Sequence, residues 1–76
     1  MKVHITLSRV VRGDADAKKA ALARIAEAAR ISEYNVQRFD RHGIISTDIE
    51  PVYLNLIREM EEVQAVEADE PKYATS

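Results

Sequence analysis

A chain of 76 residues holds one domain and leaves no room for a second. It has no cysteine, which excludes disulfide staples and thiolate metal sites, and a core this small supplies only about 3–5 kcal/mol of net stability. A formal charge of −2 with Lys and Arg spread along the chain excludes a basic patch for nucleic acid, and the apolar runs are too short to span a bilayer.

Met1 leads straight into a strand-like stretch without a charged n-region and apolar h-region, so no signal peptide is expected in this sequence. The compartment stays open between the cytoplasm and, for a domain excised from a precursor, the exterior. Val3, Ile5 and Leu7 alternate with His4, Thr6 and Ser8, the period of a half-buried strand. Arg12-Gly13-Asp14 breaks it. Asp14 or Asp16 then caps a helix to about Ile31, because a carboxylate there accepts the free N–H groups of the first turn. Ala21, Leu22, Ile25, Ala28 and Ala29 form its apolar stripe.

Tyr34 to Asp40 reads as a second strand with Phe39 as its aromatic anchor, and Arg41-His42-Gly43 as the turn after it. Gly43 supplies the positive φ that other residues resist. Ile44 to Ile49 is the third strand, with Ile45, Thr47 and Ile49 on one face. Pro51 suits the first turn of a second helix, where its missing N–H has no partner to lose; Tyr53, Leu56, Ile57 and Met60 carry that helix to about Glu62. A last strand runs from Gln64 to about Glu70, with Val66 and Ala68 inward and Ala65, Glu67 and Asp69 outward. Pro71 ends it, leaving residues 71–76 as a mobile tail after a domain of residues 1–70.

This order predicts an α+β fold of the ferredoxin-like βαββαβ type: a four-stranded antiparallel sheet with two helices on one face. The other face stays open, carrying Thr6, Ser8, Ser46, Asp48, Ala65 and Glu67. Such a face is either solvated or a flat docking surface.

Catalytic chemistry is hard to find in the sequence. His4 and His42 are the two histidines, neither with an acidic residue at metal-ligand spacing. Gly13 and Gly43 are the two glycines, too few for a phosphate-cradling loop. Ser8, Ser46 and Ser76 have no nucleophile-elbow context, and Glu59, Glu61 and Glu62 read as solvated surface. The first and third strands lack the aromatics that stack bases. No catalytic residue, metal or cofactor is expected. The chain reads as a binder, not an enzyme.

Gly43-Ile44-Ile45, the run Pro51 to Val63, and Val66-Glu67-Ala68-Asp69 together resemble the subtilisin propeptide-like family of protease inhibitors. The similarity lies in the order and spacing of short motifs from Val3 to Ser76. It implies an inhibitor of a subtilisin-like serine protease, also a folding chaperone for it, monomeric when free. The open sheet face would dock on two protease helices, with Glu67 and Asp69 at their N-termini beside the small Ala65. The physics suits that role, since a helix N-terminus offers unsatisfied N–H groups and partial positive charge. Tyr73, Ala74, Thr75 and Ser76 would lie in the substrate cleft as an added strand, Ser76 at the catalytic serine and Tyr73 in the fourth subsite. The chain departs from the family at Ile44, where an aromatic is usual, at the small Ala65 and Ala68, and in a slightly longer tail with Pro71, which leaves the subsite register open by about one residue. The alternative is a ferredoxin-like regulatory or assembly module that binds a partner chain or small ligand through the same face.

Overall fold

The computed structural model describes residues 1–69. Strand β1 (Lys2–Leu7) is followed by a one-turn helix α1 (Arg9–Arg12), helix α2 (Ala15–Ala29) and helix α3 (Val36–His42). Strand β2 (Ile44–Asp48), a 3-10 turn (Pro51–Tyr53), helix α4 (Leu54–Arg58) and strand β3 (Val63–Ala68) complete the order. The α+β class agrees with the sequence. The expected four-stranded sheet does not form: among the described residues the sheet has three strands, in the order β2-β1-β3, both pairings antiparallel. Among the described residues four α-helices replace the expected two.

The correction centres on residues 34–43. Asn35 takes an extended backbone and its side-chain oxygen accepts the Arg38 N–H at 3.0 Å, an N-cap that starts α3. Phe39 is then the buried residue of that helix, with Tyr34 edge-on to it at 5.8 Å. Val36, at the start of the helix, is exposed. Gly43 does adopt positive φ (65°), but as the C-cap of α3, its N–H donating to Phe39 O. A side chain there would be strained twice: by the left-handed backbone, and because a Cβ would come within 2.5 Å of Arg12 Cγ. The chain ahead of α3 covers the outer edge of β2 instead of pairing as a strand. Asn35 N–H donates to Ser46 O at 3.1 Å, and the Thr47 hydroxyl donates to Glu33 O.

Helix α2 starts as expected, Asp14 accepting from the N–H groups of Asp16 and Ala17 at 2.9 and 3.3 Å. It ends at Arg30, a non-glycine residue in the left-handed region (φ 56°). Pro51 opens the next helical stretch as predicted, yet that stretch ends at Arg58, short of Glu62. Ser8, expected on the open face, instead caps α1, its Oγ accepting the Val11 N–H.

The core forms where the inward rows of the sheet meet the helices. Val3, Ile5 and Leu7 of β1, Ile45 and Thr47 of β2, and Val66 of β3 are buried against Ala21, Ile25 and Ala29 of α2, Phe39 of α3 and Ile57 of α4. Ala68, expected to point inward, is exposed at the end of its strand. β2 and β3 flank β1, so the passage through α4 is a split βαβ crossover, and the helices lie on the face that holds this core. The opposite face is left free. That asymmetry positions the site.

Candidate docking face

Strand alternation sends Lys2, His4 and Thr6 of β1, Ile44, Ser46 and Asp48 of β2, and Ala65 and Glu67 of β3 to the face opposite the core. The register sets them in rows. Thr6 lies between Ile44 and Ala65, His4 between Ser46 and Glu67, and Lys2 faces Asp48. Asp69 extends the β3 edge by one step, its N–H donating to Lys2 O at 2.8 Å. Between Thr6 and Leu7 the register slips, leaving Gln64 as an extra residue whose Oε1 accepts from Arg12 Nη2 at 3.4 Å.

The backbone pattern explains one close contact. Ser46 O accepts from Asn35 on the outer edge, while Met1 and Ile49 exchange bonds across β1 and β2. His4 and Ser46 are therefore a non-hydrogen-bonded pair, the kind whose side chains approach most closely. His4 Nδ1 sits 2.8 Å from Ser46 Oγ. On its other side His4 Nε2 lies 3.5 Å from Asp69 Oδ2, with the imidazole one-quarter exposed and the carboxylate half exposed.

Ser46, His4 and Asp69 thus form a continuous polar chain across three strands. It has the residue types of a nucleophilic relay, but strand N–H groups lie in the plane of the sheet. A tetrahedral oxyanion above the face would need donors aimed at it. Among the described residues no group of three or more His, Cys, Asp or Glu is placed to hold a metal ion.

Ala65, Glu67 and Asp69 are all exposed and share this face, as the sequence placed them. The tail residues Tyr73, Ala74, Thr75 and Ser76 lie outside the described residues. His42, expected in a turn, is the last residue of α3. Sequence reading missed the partnership of His4 with Ser46 and Asp69. Period-2 alternation put His4 and Ser46 on the open face, and only the register joins them to Asp69.

A second polar feature lies away from this face. Glu62, in the turn after α4, is buried and accepts from Arg24 Nε of α2 at 3.1 Å, while Arg24 is largely exposed. The pair ties the turn that launches β3 to the main helix, and Glu62 O also accepts the Ser8 N–H at 2.8 Å. An open groove of about 390 Å³ runs beside it, lined by Val10, Val11, Ala17 and Ala21. Among the described residues no helix is long and apolar enough to cross a membrane.

Comparison with protein-family models, curated proteins and solved structures finds no match to this chain.

Proposed function

We propose that the chain inhibits a subtilisin-like serine protease, docking by its open sheet face and placing its C-terminal tail in the substrate cleft. The observation that carries the reading is the exposed Ala65–Glu67–Asp69 row on a face that no helix of the described chain covers. Two carboxylates projecting from the last strand suit partners that present unsatisfied N–H groups, of which helix N-termini are the commonest protein example. Ala65 keeps the surface flat, so a helix can approach. A tail anchored beside a docked surface gains effective concentration for the cleft without any new contact.

The three-stranded sheet departs from the architecture the resemblance implies, and it narrows the docking surface to β1, β2 and β3. The acidic edge does not depend on a fourth strand. Inhibition would be competitive and product-like, with Tyr73 and Ser76 at the two ends of the bound segment.

The test is a subtilisin inhibition assay with the full chain and with residues 73–76 deleted. The proposal expects competitive inhibition by the full chain, weakened at least tenfold by the deletion, or roughly 1.4 kcal/mol of lost cleft contact. Equal, negligible inhibition by both chains overturns it.

A further inference from the structure

The carboxylate of Asp69 is not free on its strand. It lies 3.5 Å from His4 Nε2, and the other ring nitrogen of His4 lies 2.8 Å from Ser46 Oγ. We infer that His4 is a positioning residue: fixed by Ser46, it favours the orientation of the Asp69 carboxylate that docking uses. The docking part rests on the protease-inhibitor reading above; the contact with Asp69 does not.

The chemistry follows from the two contacts. With the Ser46 hydroxyl donating to Nδ1, the proton of a neutral imidazole resides on Nε2 and faces Asp69 Oδ2 3.5 Å away. The carboxylate then has a polar neighbour while keeping its full charge for a partner. The charged groups sharing the face are Lys2 on β1, Asp48 on β2, and Glu67 and Asp69 on the β3 edge. Directly beneath lie apolar side chains, Val3 and Ile5 among them. Three carboxylates thus stand against one ammonium on this face, and a partner that offers helix N-termini meets an acidic edge.

Two measurements test this separately. In the free chain, nitrogen NMR of the His4 ring should show mainly the Nε2–H tautomer at alkaline pH, and Ser46→Ala or Asp69→Asn should each shift the tautomer mix. Against subtilisin, His4→Ala should weaken inhibition about threefold, the scale of one charge at a helix end. His4→Gln, which keeps a donor, should recover most of that loss. An unchanged tautomer mix in both variants overturns the positioning role. Equal inhibition by wild type and His4→Ala overturns the effect on docking. No inhibition by either chain, with a ring that responds to both substitutions, overturns the protease reading and leaves the positioning role standing.

Discussion

Ile5→Ala should bring the chain to the edge of unfolding at 25 °C. Ile5 is fully buried in the central strand, with Ile45 and Val66 as its cross-strand neighbours and α2 and α4 in the same core. Truncating it removes three methyl or methylene groups and opens a cavity that two flanking strands and a stiff helix layer cannot collapse to fill. Ile→Ala at such sites costs about 3–4 kcal/mol, within the usual range for large-to-small core changes. A domain of this size has about 3–5 kcal/mol in total and this one has no disulfide to add to it. Urea denaturation followed by circular dichroism reads the result directly. Val10→Ala is the matching control, since Val10 is 85% exposed and should change stability by less than about 0.5 kcal/mol. An Ile5→Ala chain with a wild-type urea midpoint would mean that β1 is not the centre of the core.

The largest effect on binding should come from reversing both acidic docking groups. In the Glu67→Lys, Asp69→Lys double variant, two carboxylates that favour helix N-termini become two ammonium groups that oppose them. Each carboxylate contributes about 0.3–1 kcal/mol in exposed settings and up to about 2 kcal/mol when partly desolvated at an interface. Reversal removes the attraction and adds repulsion, so about 2.8 kcal/mol for the pair is a fair expectation, or roughly a 100-fold rise in the inhibition constant. Both side chains are exposed and touch no core residue, so the fold should survive with its thermal midpoint little changed. Part of the loss should be in the association rate and should shrink as salt is added, because rim charges steer encounter. A double variant that inhibits as well as wild type would remove Glu67 and Asp69 from the interface.

Much of the core was legible before any coordinates. Alternation in Val3–Leu7 and Ile44–Ile49 marked β1 and β2, and the carboxylate of Asp14 marked the start of α2. Residues 34–40 misled because Tyr, Val and Phe favour strands, and propensity outweighed position. The counter-signals were present: Asn35 three residues before Arg38, basic residues Arg41 and His42 in a last turn, and Gly43 just beyond. A glycine with positive φ fits a hairpin or a helix C-cap equally well, and here the packing of Phe39 beneath Tyr34 decides for the helix. Helix α1 was missed because four residues are too few to show a period. The face was legible at the level of which residues point outward, since strand alternation fixes that much. Which of them touch was not. The pairing of His4 with both Ser46 and Asp69 depends on register, and the slip at Gln64 shows how little local sequence constrains it.

The central question is whether the open face is the surface that meets a protease. The direct measurement is an amide NMR titration of the isotope-labelled chain with subtilisin whose catalytic serine has been blocked. The account predicts shifts or broadening concentrated at His4, Thr6, Ser46, Ala65, Glu67 and Asp69, together with the signals of residues 73–76. The exposed helical surfaces, such as Val10 and Arg24, should be unaffected. Perturbation confined to the helices, or none at saturating protease, would contradict it.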